Sequence, residues 1–227
     1  MHRVIWILVI IIILLILLIP IRWNGCPPPL PPYRLCDVIY NEYLKKKHQW
    51  FRVPLNIAVC LDNLAVFKRI MHKVGIRDDR QEWWLSEGTA LGCFRDKQLL
   101  AWDDDVDVYV EGSKLDVFFN RAWPKLQRAG FHHVHSHPYY YVSLVRNGEK
   151  LDVGFLIDSP DHKTMCGAGH VPCSKLRPLI FPTIPIQLGS ATYYVPGNVG
   201  YYEMLYGKDW YVPQFNVSAD KGDQHTT

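Results

Sequence analysis

Apolar residues recur every three or four positions between residues 55 and 74, as they do along one face of an α-helix. Gly75 follows this segment, and glycine commonly closes a helix. A weaker pattern of the same period predicts a helix over residues 36–49, with three consecutive lysines near its end, where cations suit the helix dipole. A further helix is predicted over residues 115–130.

The rest of the chain favours short strands. Strand-like apolar stretches occupy residues 82–85, 106–110, 139–145, 150–157 and 191–195. Asn147-Gly148 separates two of them and is typical of a hairpin turn. One or two helical turns are predicted over residues 200–206. Because helices and strands are mixed, we predict the α+β class, with a β-sheet flanked by helices.

The amino-terminal segment follows neither period, because every residue from Val4 to Ile19 is apolar. With Pro20 and Ile21 included, such a helix would span about 27 Å, close to the apolar thickness of thin secretory-pathway membranes. A cleaved signal peptide is the alternative, but the run is long and no small-residue cleavage site follows it. We therefore predict a cytosolic tail over residues 1–3 and a transmembrane signal anchor over residues 4–21.

A proline-rich stem follows over residues 22–35, where Pro27–Pro32 contains five prolines and favours an extended conformation. Residues 36–227 then form one luminal domain of a single-pass protein in the Golgi or endoplasmic reticulum membrane. Asn216 begins the only N-glycosylation sequon in the chain, and six cysteines permit disulfides in such a compartment.

Charge argues against nucleic acid as a partner. Residues 1–22 contain two of the 25 Lys and Arg residues and none of the 22 acids, which leaves 23 basic against 22 acidic side chains. A polyanion-binding protein needs a clustered basic excess, which this balance does not provide.

The acids themselves are clustered. Residues 103–107 contain four aspartates within an apolar setting, so the carboxylates stay ionised together only if solvent or cations neutralise them. Asp105 and Asp107 are two residues apart and point to one face of a strand. Such oxygen ligands suit Mg²⁺ or Mn²⁺. Asp152, an acid within an apolar strand, is the expected third carboxylate, and a solvated acidic turn is the structural alternative.

A glycine-containing turn precedes this motif. Gly88 and Gly92 would let the backbone approach a phosphate, and Ser86 and Thr89 can donate hydrogen bonds to it. The turn lies seventeen residues before Asp105, which strengthens its connection with the acidic motif.

Two long motifs give the sequence a family resemblance. S-E-G-T-A-L-G, an arginine and W-D-D-D-V-D-V, and later V-P-G-N-V-G-Y-Y-E-M-L-Y-G-K-D-W over residues 195–210, resemble the LicD family, whose relatives include fukutin and fukutin-related protein. The resemblance covers roughly residues 80–213. It implies a nucleotidyltransferase-type fold, with a small mixed β-sheet and helices on its faces. It also implies transfer of a phospho-alcohol, such as phosphocholine or ribitol phosphate, from a CDP-activated donor to a glycan hydroxyl.

The resemblance also implies residue roles. Asp105 and Asp107 match the paired metal ligands, and Asp152 matches the third carboxylate, as a metal ligand or as the base for the acceptor hydroxyl. Ser86, Glu87, Gly88 and Thr89 belong to the donor-binding turn, where Glu87 orients the turn or contacts ribose. Arg95 either neutralises donor phosphate or forms a structural salt bridge. Asp103 and Asp104 are expected to be supporting or exposed.

Several alternatives stay open. Cys166, His170 and Cys173 have spacing that could supply zinc ligands, but we favour a disulfide or free thiols. Histidines at 132, 133, 135 and 137 are expected on a surface strand or loop. A Golgi glycosyltransferase with an Asp-x-Asp motif is the rival enzyme, and a non-catalytic glycan-binding relative is the rival class. The sequence indicates neither the transferred group nor a homo-oligomeric state.

Overall fold

The computed structural model describes residues 10, 13, 20–21, 33–49, 53–137, 141–157, 165–166 and 171–213. The strands are β1 (Pro20–Ile21), β2 (Tyr33–Arg34), β3 (Trp83–Leu85), β4 (Val106–Glu111), β5 (His132–His137), β6 (Tyr141–Arg146), β7 (Glu149–Leu156), β8 (Met165–Cys166), β9 (Val171–Pro172), β10 (Thr183–Leu188) and β11 (Ala191–Pro196). The helices are α1 (Leu35–Gln49), α2 (Ile57–Val74), α3 (Glu87–Asp96), α4 (Leu115–Val117), α5 (Trp123–Arg128), α6 (Cys173–Ile180) and α7 (Val199–Tyr206).

A five-stranded mixed sheet with the order β3-β4-β7-β6-β5 organises the domain. Strands β4 and β7 run parallel at its centre, whereas the other neighbouring pairs are antiparallel. In the parallel pair Asp107 lies opposite Asp152. Helices flank this sheet, which confirms the predicted α+β architecture.

Local sequence signals explain where α2 and the central hairpin begin and end. The Asn56 side chain accepts a hydrogen bond from the Val59 N–H at 3.3 Å and caps the amino end of α2. At the other end Gly75 has φ of +90° and donates its N–H to the carbonyls of His72 and Met71. Asn147 and Gly148 both have positive φ, as a two-residue turn between β6 and β7 requires.

The helix predicted over residues 115–130 is present but not uniform. Phe118–Ala122 is a π-helical stretch that separates α4 from α5. The Phe118 ring packs edge-on against Phe155 of β7, with ring centres 5.1 Å apart. This contact fixes the segment against the sheet.

The two tryptophans of β3 show that both faces of the sheet are covered. Trp83 packs edge-on against Phe67 of α2, while Trp84 stacks on Tyr109 of β4 and meets Phe181. Both indoles are fully buried. Because successive strand residues point to opposite faces, Tyr109 shares its face with Asp107, and this face carries the polar site.

The predicted anchor lies largely outside the described residues, which include only Ile10 and Ile13 of its core. Pro20 and Ile21, which the prediction placed at the end of that helix, instead form β1 and pair with Tyr33–Arg34. Within the described part of the chain, no helix combines the length and apolar character needed to cross a membrane.

Other predicted features have mixed outcomes. The histidine-rich segment is strand β5, but His133 is buried although a surface position was expected. Cys166 and Val171 pair in the short β8–β9 hairpin. The side chains of Cys166 and Cys173, the whole of His170, and Asn216 with its sequon lie outside what the structure describes, as does stem segment 22–32.

Candidate active site

Three carboxylates from adjacent strands converge at the centre of the sheet. One oxygen from each of Asp105, Asp107 and Asp152 lies within 4.8 Å of the others. Asp105 immediately precedes β4, Asp107 is its second residue, and the parallel register sets Asp152 of β7 beside Asp107. The topology therefore brings together residues 45 positions apart in the sequence, as the sequence analysis expected.

Burial and mutual repulsion set the protonation of this triad, by which we mean Asp105, Asp107 and Asp152. Burial, and then the charge of Asp105, raise the pKa of both Asp107 and Asp152 well above the ordinary carboxyl range. Burial would raise the pKa of Asp105 as well, but the Lys150 ammonium and hydrogen bonds from the other two aspartates lower it below its usual value. The triad thus holds protons at a pH where solvated aspartates have lost them.

Lys150 is a member of the site that the sequence analysis missed. Its Nζ lies 2.6 Å from Asp105 Oδ2 and 3.0 Å from Asp152 Oδ2, and its side chain is only 4% exposed. Burial lowers the pKa of this lysine, but the nearby carboxylates, Asp105 first, raise it above its ordinary value. Lys150 is two residues before Asp152 on the same strand, so strand alternation is the signal that could have located it.

The amino end of α3 is fastened directly to the triad. The Thr89 hydroxyl accepts the Asp107 N–H at 2.8 Å, and the Ser86 N–H donates to the Asp107 carbonyl at 3.1 Å. Ser86 is the residue before the helix, and its first intrahelical bond runs from the Ala90 N–H to the Ser86 carbonyl. The N–H groups of Gly88 and Thr89 therefore have no partner within the helix.

The predicted glycine-containing turn forms the beginning of α3, with Gly88 in its first turn, and its role in phosphate binding stays a prediction. A Cβ on Gly88 would overlap Asp103 Oδ2, and one on Gly92 would lie 2.7 Å from the Gln98 carbonyl and 2.8 Å from Leu100 Cγ. In the structure these glycines allow close packing of α3 on the acidic loop. Asp103, expected to be supporting or exposed, has a buried Oδ2 and a pKa raised by burial and by its acidic neighbours.

Glu87 is held by two buried tyrosines. Tyr109 donates its hydroxyl to Glu87 Oε1 at 3.0 Å, and the Glu87 N–H donates to the Tyr201 hydroxyl at 3.1 Å. The backbone of Glu87 has φ of +47°, a strained value for a residue with a side chain. A Cβ on Gly154 would lie 2.6 Å from the Tyr109 ring, so this glycine makes room for the tyrosine that reaches Glu87.

Of the two roles considered for Arg95, donor-phosphate neutralisation and a structural salt bridge, the structure shows the salt bridge. Its guanidinium binds both carboxylate oxygens of Asp96, at 2.9 and 2.7 Å, and donates to the Trp210 carbonyl at 3.1 Å. It lies eight residues after Glu87, about 12 Å farther along α3. Tyr202 stacks on Phe94 with ring centres 4.5 Å apart, so the second motif packs on α3.

The residues present fit a divalent cation. Asp152 Oδ1 is buried and has no hydrogen-bond partner, a costly state that a cation would relieve. The donor set consists of carboxylate oxygens, which are hard ligands suited to Mg²⁺ and Mn²⁺. Asp103, Asp104 and Asp105 form a second close group of carboxylates, which shares Asp105 with the triad.

Comparison with known families gives this geometry a context. A sequence profile described as LicD/FKTN/FKRP, nucleotidyltransferase domain, matches residues 80–198, just over half of the chain. The chain belongs to the LicD family. The matched region contains the triad, Lys150 and the amino end of α3, whereas the motif over residues 195–210 lies mostly beyond it.

The individual relatives that match this chain share less than a third of the aligned residues with it. Ribitol-5-phosphate transferase FKTN of Mus musculus is 28% identical over 149 residues, which cover 61% of this chain and 31% of that protein. The protein of the same name from Homo sapiens is 26% identical over 161 residues, which cover 66% of this chain and 32% of that protein. The chain thus spans about a third of the length of these relatives.

Proposed function

We propose that this LicD-family chain transfers a phospho-alcohol, such as ribitol phosphate or phosphocholine, from a CDP-activated donor to a glycan hydroxyl. Asp105, Asp107 and Asp152 hold a divalent cation, Mg²⁺ or Mn²⁺, for this reaction. The observation that carries the proposal is the convergence of these carboxylates within 4.8 Å in a domain of this family. The printed name of the relatives, ribitol-5-phosphate transferase, supports the class of transferred group.

A bound cation would neutralise the charge that develops on the donor's pyrophosphate as CMP leaves. The amino end of α3 provides the complementary donors on the protein, because the N–H groups of Gly88 and Thr89 have no partner within the helix. Ser86 Oγ is buried without a hydrogen-bond partner, and the Thr89 hydroxyl keeps its own hydrogen to donate. These groups bind and orient the phosphates in our proposal.

Asp152 has two roles open to it. Its Oδ2 is bound to Lys150, whereas its Oδ1 has no hydrogen-bond partner. That free oxygen can ligate the cation or accept the proton of the acceptor hydroxyl. The raised pKa of Asp152 suits the second role, because a general base works best when its pKa approaches the working pH.

Glu87 is an orienting residue in this scheme. The two tyrosines that bind it have pKa values raised by burial and by the Glu87 charge, so both stay protonated at neutral pH. Arg95 is left out of donor binding, because Asp96 and the Trp210 carbonyl already engage it. We further place the reaction in the lumen of the endoplasmic reticulum or Golgi, on the basis of the predicted anchor over residues 4–21.

The test is a donor panel. The full chain in detergent is incubated with an acceptor glycan, Mg²⁺ or Mn²⁺, and CDP-ribitol, CDP-choline, CDP-glycerol or UDP-sugars. We expect metal-dependent CMP release from at least one CDP donor. Release of UDP alone would instead support the Asp-x-Asp glycosyltransferase. Absence of both products, without a metal-dependent thermal shift, would support a non-catalytic glycan-binding relative.

A further inference from the structure

The triad already contains a positive charge. Lys150 Nζ contacts one oxygen each of Asp105 and Asp152, at 2.6 and 3.0 Å, which are ion-pair distances. Each of the two oxygens in these contacts has part of its accepting capacity engaged by the ammonium, and a metal ion that shared the oxygen would lie close to that positive charge. Asp152 Oδ1, by contrast, is buried and without a hydrogen-bond partner.

Lys150 is held in this position by its strand. It is the second residue of β7, where it pairs with Val145 of β6 and is 4% exposed. Movement of its ammonium to solvent would leave two buried carboxylates without their counterion, which is costly. The lysine is therefore a fixed part of the site.

The charge balance favours one divalent cation beside this lysine. The three carboxylates, when ionised, carry three negative charges, of which the ammonium neutralises one. A single divalent cation neutralises the other two, and the nearby Asp103, Asp104 and Glu87 add negative charge around the triad. A second divalent cation would lie against the ammonium, where repulsion is strong because the site is buried.

We infer that Lys150 is a resident cation of the triad, and that the donor-free protein binds a single divalent ion across the triad and the adjoining group of Asp103, Asp104 and Asp105, which share Asp105. The inference rests on the proposed function, since it assumes that the triad binds metal. It goes beyond that function because it assigns the number of ions and the residue that sets this number.

The experiment measures Mn²⁺ binding without donor, by electron paramagnetic resonance of free Mn²⁺, on the full chain in detergent. We expect one Mn²⁺ per wild-type chain. In Lys150→Met, which removes the charge and keeps most of the side-chain volume, we expect a second Mn²⁺ or a gain in affinity of about tenfold or more. Lys150→Arg keeps the charge and should match the wild type.

Lys47→Met is the matched control, because Lys47 pairs with Glu149 at 3.1 Å rather than with the triad. It should bind one Mn²⁺ with unchanged affinity. Two ions in the wild type, or one ion with unchanged affinity in Lys150→Met, would overturn the inference. If Lys150→Met does not fold, the wild type and Lys150→Arg provide the test, and two ions in either would overturn the inference.

The same measurements distinguish a wrong metal assignment from a wrong reaction. If the wild type binds no Mn²⁺ while the lysine variants fold normally, both the metal assignment of the proposed function and the inference are wrong. If the wild type binds one Mn²⁺ and the variants behave as expected but no CMP is released, only the proposed reaction is wrong.

Discussion

At the scale of single residues, Asp152 shows that the site places an ionisable carboxyl group where burial disfavours its charge. It is 2% exposed on a strand whose eight residues are all buried, and a charged carboxylate is costly there. Lys150 offsets part of this cost, and one oxygen of Asp152 still has no hydrogen-bond partner. A stable core would place an apolar residue here, so the acid is retained for its chemistry in our account.

The raised pKa values of Asp107 and Asp152 predict a pH-dependent response to metal. A carboxyl whose pKa rises on folding adds stability below its unfolded pKa, and this contribution is lost as pH rises through the folded value. Divalent cations need the deprotonated forms. As pH rises from the ordinary carboxyl range through neutrality, we therefore expect the contribution of these groups to metal-free stability to fall, and the Mg²⁺-induced increase in melting temperature to grow.

Thermal unfolding of the full chain with Mg²⁺ or with chelator at matched ionic strength, at each pH, provides the check. Asp105 has a lowered pKa, so its own contribution is lost only in more acidic solution than this range. An increase in melting temperature that is equal at all pH values would contradict the assigned protonation.

Gly88→Ala tests the packing of α3 on the acidic loop. The added Cβ would overlap Asp103 Oδ2, so we expect the free energy of unfolding to drop by about 1–3 kcal/mol. Urea denaturation measures the change. In an Asp103→Ala background the colliding atoms are gone, and the same substitution should cost clearly less. Equal costs in both backgrounds would show that the overlap is not the cause.

Among the residues of the site, those with a distinctive sequence context were predictable. Asp105 and Asp107 belong to a dense acidic motif, and Asp152 is an acid in an apolar strand. Lys150 was missed because a lysine beside a turn is ordinary in sequence, although strand alternation from Asp152 places it on the same face of β7, where it is buried. Gly88 was expected in a phosphate-binding turn, which stays a prediction, and the structure adds that a Cβ there would overlap Asp103 Oδ2.

At the scale of elements, the amino end of α3 depends on α7. The Tyr201 hydroxyl accepts the Glu87 N–H, while the neighbouring Tyr202 hydroxyl donates to the Pro196 carbonyl at 2.8 Å, within its own motif. Both tyrosines are buried, and Tyr202 stacks on Phe94 of α3, but of their two hydroxyls only that of Tyr201 bonds to the first residue of α3. Helix α7 therefore positions the proposed phosphate-binding turn.

Tyr201→Phe and Tyr202→Phe form a matched pair that separates positioning from stability. Each removes one buried hydroxyl, and we expect each to lower the free energy of unfolding by about 1–3 kcal/mol. Only Tyr201→Phe should also raise the KM for the CDP donor, because it loosens Glu87 and the first turn of α3. Urea denaturation and steady-state kinetics measure the two effects. Equal KM values for the two variants would remove α7 from the account of donor binding.

Elements with a clear hydrophobic period were predictable from the sequence, whereas elements that contain glycine or proline where these residues are unfavourable were not. Helix α2 and the β6–β7 hairpin follow clear patterns and local signals. Helix α3 was not predicted, since its segment contains Gly88 and Gly92 and glycines are poor helix formers, but close packing requires them there. Strand β10 was not predicted, since its Pro185 lacks a backbone donor, and it is found in a two-stranded sheet with β11.

At the scale of the whole molecule, the parallel pairing of β4 with β7 creates the site, and pattern alone could not establish it. The two strands are separated by about 40 residues that include α4, α5, β5 and β6. Local periodicity carries no information on such a distant pairing. The resemblance of two long motifs to the LicD family supplied the fold type, and the chain's membership of that family confirms it.

The predicted anchor and sequon give a test at the same scale. We expect the full chain to stay with membranes after alkaline carbonate extraction, and a chain without residues 1–21 to be released. Glycosidase treatment should shift the mobility of the wild type in a gel, whereas Asn216→Gln should show no shift. Release of the full chain by carbonate would contradict the anchor, and an unshifted wild type would contradict the luminal location.

The central claim is that CMP release depends on the carboxylates of the triad. The most direct measurement compares CMP release from the preferred CDP donor by the wild type, Asp107→Asn, and Asp116→Asn, which changes an exposed acid on α4. The account predicts a loss of about 100-fold or more for Asp107→Asn, equivalent to about 2.7 kcal/mol of barrier, with the melting temperature preserved and Asp116→Asn unaffected. CMP release by Asp107→Asn at the wild-type rate would contradict it.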